Sequence, residues 1–203
     1  MKLLLVLFLL LIPISGWADD IELTPLGGWV WGGTEKFDLG SIQGDIHIEA
    51  APMYGGSVAI FGKLYGIEGM YHYQASEAVV RVDGAGEIGS VDMALNYALV
   101  QVIRQFPMRR VNPFLMVGVG GVGLYAGGDN TWEWAFTLGG GFRKPFANGT
   151  SVRLMVRMLA PVEFAENGFS FGAGNSGVVI GGTGSFFQGD VSLSYSVPIW
   201  SFR

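Results

Sequence analysis

Apolar and polar residues alternate with a period of two along most of the chain. The clearest run lies near the C-terminal end, where Phe187, Gly189, Val191, Leu193, Tyr195 and Val197 interleave with Gln188, Asp190, Ser192, Ser194 and Ser196. Trp132, Trp134, Phe136, Leu138 and Phe142 oppose Glu133, Ala135, Thr137, Gly139 and Arg143 in the same way. So do Val152, Leu154, Val156 and Met158 against Ser151, Arg153, Met155 and Arg157. Successive side chains of a strand point to opposite faces, so this spacing predicts strands with one greasy face and one small, polar face. Helical spacing is not found after Ala18.

Eight such segments follow one another, at about 21–31, 51–61, 63–74, 91–105, 111–125, 132–145, 150–163 and 186–199. An even number of strands permits closure as an antiparallel up-and-down barrel. The connections at 33–50, 75–90 and 165–185 are long, while those at 61–63, 106–110 and Asn148-Gly149 are short. Long connections therefore gather at one end of the barrel and short ones at the other. Asn148-Gly149 predicts a two-residue type I′ turn, because both residues tolerate positive φ.

Alternation alone leaves open which face points inward, and composition decides it. Only 14% of the residues are charged and 50% are hydrophobic, whereas a soluble surface carries about 25–35% charged residues. The polar faces are rich in Ser, Thr, Ala and Gly, which suits a narrow, filled lumen better than a solvated exterior. The aromatics Trp29, Trp31, Tyr65, Tyr71, Tyr73, Trp132, Trp134, Tyr195 and Trp200 stand on apolar faces near strand ends, where a membrane interface would lie. The expected fold is all-β, an eight-stranded antiparallel up-and-down transmembrane barrel with its apolar faces toward lipid, rather than a soluble periplasmic barrel.

The absence of Cys excludes disulfides, thiolate metal sites and Cys nucleophiles. A net charge of -5 with no basic run makes nucleic acid an unexpected partner. At the start, Lys2 precedes an apolar run from Leu3 to Ser15 that ends in Gly16, Trp17 and Ala18. That run is too short to cross a ~30 Å hydrocarbon core as a helix, and it predicts a cleaved secretory signal over 1–18 followed by a barrel domain over 19–203. The four long or outer connections, 126–131 included, carry Glu35, Asp38, Asp45, Glu49, Glu77, Asp83, Glu87, Asp129 and Glu166 against Lys36 and Arg81, while the short turns carry Lys63, Arg109 and Arg110. Acidic loops outside and termini on the periplasmic side are the orientation implied.

Parity also assembles a polar interior. Glu22, Glu68, Asp92, Asn96, Glu133, Asp190, Arg143, Arg153 and Arg157 are assigned to the lumen, where charges require partners because an unpaired ion in low dielectric is strongly unfavourable. The interior of eight strands is just filled by side chains. A plugged barrel is therefore expected, with a network of Glu68, Arg153, Arg157, Arg143, Asp92 and His72 and with Glu68–Arg157 as its central pair. His72 shares parity with Glu68 and Gln74, and the assignment of Asp92 to the same face allows a His–Asp contact. A nucleophile is missing, since no Ser of lumen parity lies near His72 on its own strand and Ser90 is available only if its loop folds in. No catalytic, cofactor or metal site is expected. The stretch Gly118 to Gly123 fits G-x-G-x-x-G, but strand and turn residues follow it and no helix N-terminus is there for a pyrophosphate; these glycines read as positions of close strand packing.

Four stretches carry a resemblance: Ile21-Glu22-Leu23-Thr24-Pro25-Leu26-Gly27-Gly28, Asn112-Pro113-Phe114 running into a Gly-rich strand, Thr137 to Phe142, and Val152-Arg153-Leu154 with Arg157. Together they resemble the proteobacterial outer-membrane β-barrel domain proteins over nearly the whole mature chain. The resemblance implies a small eight-stranded barrel in the outer membrane, without a defined activity. Its partners would be outer-membrane lipids, including lipopolysaccharide, and the barrel-assembly machinery. The C-terminal run departs from the family in lacking a terminal Phe, and Pro198 removes a ladder donor. The function expected is non-enzymatic, in envelope integrity or contacts made by loops such as 165–185. A narrow small-solute pore and a lipid-modifying enzyme using His72 are the alternatives.

Overall fold

The computed structural model describes residues 20–38, 43–126, 129–162, 169–171, 178–180 and 187–201. The expected signal peptide, its cleavage point and most of the 165–185 connection lie outside them. Every regular element among the described residues is a strand: β1 (Asp20–Trp31), β2 (Thr34–Asp38), β3 (Gln43–Ile48), β4 (Ala51–Phe61), β5 (Tyr65–Val82), β6 (Gly86–Gln105), β7 (Asn112–Ala126), β8 (Asp129–Pro145), β9 (Ser151–Val162), β10 (Phe169–Phe171), β11 (Val178–Ile180) and β12 (Gln188–Ser201).

Eight of these close a ring in the order β1, β4, β5, β6, β7, β8, β9, β12, with every neighbouring pair antiparallel. The first and last strands seal it, from Asp20 opposite Ser201 to Trp31 opposite Gly189. The seam skips one residue where Ile21 pairs with Trp200 and Glu22 with Pro198. A bulge beside Pro198 accommodates the missing amide donor, which is where sheets tolerate proline.

Two expected long connections are largely strand. Instead of a loop over 75–90, β5 and β6 run on past the ring to a tight turn in which Gly84 and Gly86 take positive φ. The stretch 33–50 contains the β2–β3 hairpin, and β3 pairs along the extended part of β5. His47, expected in a loop, is thus a strand residue, with Nδ1 2.8 Å from Thr34 Oγ1. β10 and β11 form a separate two-stranded hairpin within 165–185. The turn at Asn148-Gly149 also differs from expectation: only Gly149 has positive φ, so it is not type I′. Asn148 Oδ1 instead accepts from Thr150 N–H and Thr150 Oγ1 at 3.2 and 2.8 Å, and Phe146 N–H donates to Thr150 O at 2.8 Å. The Asn side chain satisfies the turn, so its own backbone stays in ordinary space.

The outer wall is apolar. Trp29, Trp31, Tyr65, Tyr71, Trp132, Trp134, Tyr195 and Trp200 are exposed on it, and Tyr73 is half-buried beside Tyr54. Inside lie two hydrophobic clusters. One, with Met53, Phe61, Met70, Phe114, Met116 and Met155, sits in the body of the barrel. The other, with Ile46, Ile48, Leu95, Val122, Leu124 and Leu159, lies toward the long-loop end, and β3 supplies part of it. Close wall packing demands small residues in β7. A Cβ on Gly120 would come 2.0 Å from Ala98 O, and one on Gly123 would come 3.0 Å from the Trp132 ring.

Candidate functional site

The polar interior is built from inward-facing residues of the ring strands, and its paired charges come from β1, β5, β8, β9 and β12. Nearest the short turns, Arg143 of β8 is ion-paired with Glu22 of β1. Its other nitrogens donate to Ser151 Oγ at 3.0 Å and Gln105 Oε1 at 3.1 Å, and its guanidinium carbon lies 4.6 Å from the Phe61 ring centroid. Farther in, Arg153 of β9 clasps Glu68 of β5 through two contacts, at 2.5 and 3.2 Å. Glu68 also accepts from Ser57 and, at 2.9 Å, from Gln101 Nε2. Beyond them, Arg157 Nε donates to Asp190 of β12 at 2.9 and 3.2 Å, and its terminal nitrogens face the sulfurs of Met70 and Met53. Both members of the Arg153–Glu68 and Arg157–Asp190 pairs are buried.

Next along the lumen lies a layer of His72, Gln74, Tyr97 and Gln188. The His72 ring stacks on Tyr97 at 4.7 Å with 20° between planes, and Tyr97 Oη donates to Gln188 Oε1 at 2.7 Å. Neither nitrogen of His72 and neither amide atom of Gln74 has a hydrogen-bond partner among the described residues. The apolar cluster with Ile46 and Leu95 completes the interior at the long-loop end.

Three expectations about this interior are corrected. Glu68 pairs with Arg153 and not with Arg157, whose partner is Asp190. Barrel closure shears the strands against one another, so height cannot be read from position within a strand. Asp92 and Asn96 face outward. The register sets Tyr97 opposite His72 and Asp92 opposite Glu77, so the odd residues of β6 line the lumen. Asn96 Oδ1 accepts from Tyr71 on the outer wall at 2.5 Å. The His72–Asp92 contact therefore does not form.

Tyr97, Gln101, Gln105, Ser57 and Gln188 also hold the network together, and sequence reasoning gave them no role. Gln188 stands on the polar face of its strand by parity, and for Ser57 the same alternation along 51–61 is the signal that could have found it. Gln101 stands alone in an apolar run, and such an isolated polar residue is the signal that marks a partner inside. Glu133 lies half-buried on the inward-facing set of β8. Among the described residues, no group of three or more His and carboxylate side chains is placed to hold a metal ion.

A closed eight-stranded sheet with an aromatic, apolar exterior and an ion-paired, side-chain-filled lumen defines a small β-barrel of the outer-membrane type. Solved structures of outer-membrane proteins are among those that it matches. Neisserial surface protein A is 13% identical with a TM-score of 0.55, covering 89% of this chain and 97% of that one. The outer membrane protein OprG from Pseudomonas aeruginosa is 12% identical with a TM-score of 0.57, covering 89% and 97%. The outer membrane protease OmpT from Escherichia coli is 8% identical with a TM-score of 0.48, covering 88% and 95%. No family model and no curated protein matches the chain. At these identities the likeness defines the fold, and function rests on the side chains.

Proposed function

We propose that the protein is a non-conducting barrel of the Gram-negative outer membrane, with its long loops outside and its termini periplasmic. It acts in envelope integrity or through contacts made by those loops, and not by catalysis. The observation that carries this reading is the interior: three successive Arg–carboxylate pairs followed by the His72–Tyr97 stack and the apolar cluster at the long-loop end. Charges so paired are costly to separate, which opposes opening of a solute path.

Two features argue against a lipid-modifying site at His72. The side chain is fully buried against Tyr97. Ser57, a lumen hydroxyl on the neighbouring strand, donates to Glu68 and not to His72, so among the described residues His72 is in contact with no nucleophile. The acidic outer loops suit contacts with lipopolysaccharide through divalent cations, which carboxylate and phosphate oxygens share.

Complementation separates the readings. In a strain lacking the protein, wild type and His72→Phe should restore detergent resistance equally, whereas a barrel whose 165–185 connection is replaced by a short Gly-Ser turn should insert but fail to restore it. Loss of function in His72→Phe with normal insertion would move the enzyme reading to first place. Full function without the 165–185 segment would remove that loop from the proposal.

A further inference from the structure

Outside the lumen, charge is divided between the two ends of the barrel. At the short-turn end, Lys63 in the β4–β5 turn, Arg104 on the outward set of β6, and Arg109 and Arg110 in the β6–β7 turn lie in one sector. The end of β6 is fastened to the β4–β5 turn, because Gln105 N–H donates to Leu64 O at 2.7 Å and Gln105 Nε2 donates to Gly62 O at 3.3 Å. Arg104 and Tyr65 are register partners, and the guanidinium carbon lies 4.3 Å from the Tyr65 ring centroid and 5.7 Å from that of Phe106. Lys63, Arg109 and Arg110 are exposed. Of the described carboxylates at this end, Glu22 is buried with Arg143, and Asp20, which accepts from the Ser201 hydroxyl at 2.5 Å, lies opposite Phe61 at the edge of the sector, where the bases outnumber it. On the long-loop side the exposed outward residues Glu77, Glu87 and Asp92 reverse the sign.

We infer that the Lys63–Arg104–Arg109–Arg110 sector binds the phosphate of an anionic glycerophospholipid in the leaflet at the short-turn end. An arginine laid over interfacial rings is held at headgroup depth with its donors free for an acceptor. Its planar fork matches phosphate oxygens, and neighbouring bases add attraction to an anionic surface. Leu64 and Met108, exposed in the same two turns, provide apolar contact beside the headgroup. Short turns face the periplasm in barrels of this type, and that leaflet is built of glycerophospholipid. The assignment thus rests on the orientation proposed above, and it adds the lipid chemistry of that end.

The test uses the whole folded protein in vesicles of phosphatidylcholine alone, of phosphatidylcholine with phosphatidylglycerol, and of phosphatidylcholine with lipid A. The readouts are the thermal unfolding midpoint and the lipid retained on purification. Wild type should insert in all three, unfold at higher temperature with phosphatidylglycerol, and lose that rise in high salt. It should retain phosphatidylglycerol over phosphatidylcholine by roughly fivefold or more, the factor equivalent to ~1 kcal/mol for one engaged base. The combined variant Lys63→Gln, Arg104→Gln, Arg109→Gln, Arg110→Gln should insert but show neither effect, while Lys36→Gln with Arg81→Gln keeps both. An equal rise in the fourfold variant, no rise in wild type, or a rise with lipid A alone overturns the inference. Failure of the wild type to insert into any vesicle would instead overturn the membrane reading itself.

Discussion

Glu68 holds the middle of the lumen, accepting from Ser57, Gln101 and both terminal nitrogens of Arg153. Removing it leaves a buried guanidinium uncompensated, so Glu68→Ala should destabilise the barrel by about 3–5 kcal/mol, measured by urea unfolding in detergent micelles. A double-mutant cycle should find strong coupling between Glu68 and Arg153 and much weaker coupling between Glu68 and Arg157. Strong coupling to Arg157 alone would contradict the observed pairing. His72 presents the opposite case. Its ring is stacked but neither nitrogen has a partner among the described residues, so His72→Phe keeps the ring contact and gives up no hydrogen bond to them. Its unfolding free energy should stay within about 1 kcal/mol of wild type. A loss several times larger would show that the imidazole nitrogens do bond.

Among the elements, β7 shows what small residues do for closure, and β6 shows where a periodic pattern misleads. A methyl group on Gly120 would meet backbone of β6 at 2.0 Å, whereas one on Gly69 meets nothing within 4 Å. Gly120→Ala should therefore cost about 1–3 kcal/mol through overpacking, while Gly69→Ala stays within about 0.5 kcal/mol; unfolding of the two variants under identical detergent conditions compares them directly. On β6, Met93, Leu95, Tyr97 and Leu99 face inward, and Ala98, Val100 and Val102 face outward. Both faces are apolar in mid-strand, and the polar residues there, Asn96 and Gln101, have opposite parity and so point to opposite directions. The outward residue is bonded to Tyr71 and the inward one to Glu68. The extension of β5 and β6 was hidden for a related reason. Its exposed residues Glu77, Arg81, Asp83 and Glu87 resemble loop composition, because above the hydrocarbon neither face of a strand need be greasy.

For the molecule as a whole, the closed ring and filled interior predict two behaviours of the purified protein. Unheated samples should migrate differently in detergent gels from boiled ones, and the protein should resist carbonate extraction from envelopes; a freely soluble pool would contradict a lipid-facing exterior. In planar bilayers the wild type should show no steady conductance, while Glu68→Ala, which removes both charge compensation and volume from the middle layer, should conduct measurably. Stable ohmic channels in the wild type, unchanged by Glu68→Ala, would favour the small-solute pore.

The sequence by itself determined the strand content, the approximate positions of the eight ring strands, their even number and the lipid-facing identity of the aromatic face. Each follows from local periodicity and composition: strand side chains alternate strictly, and too few charges are present to solvate an exterior. It also marked Glu68, Arg143, Arg153 and Arg157 as inward, since charges opposite Leu, Val and Phe on a greasy strand have nowhere else to go. The tertiary structure alone decided which charges meet. Pairing Arg153 with Glu68 and Arg157 with Asp190 depends on shear around the closed ring, and the outward turn of Asp92 depends on the register between β5 and β6. Both are relations between strands, set when the whole sheet closes, and a one-residue slip in either exchanges wall for lumen.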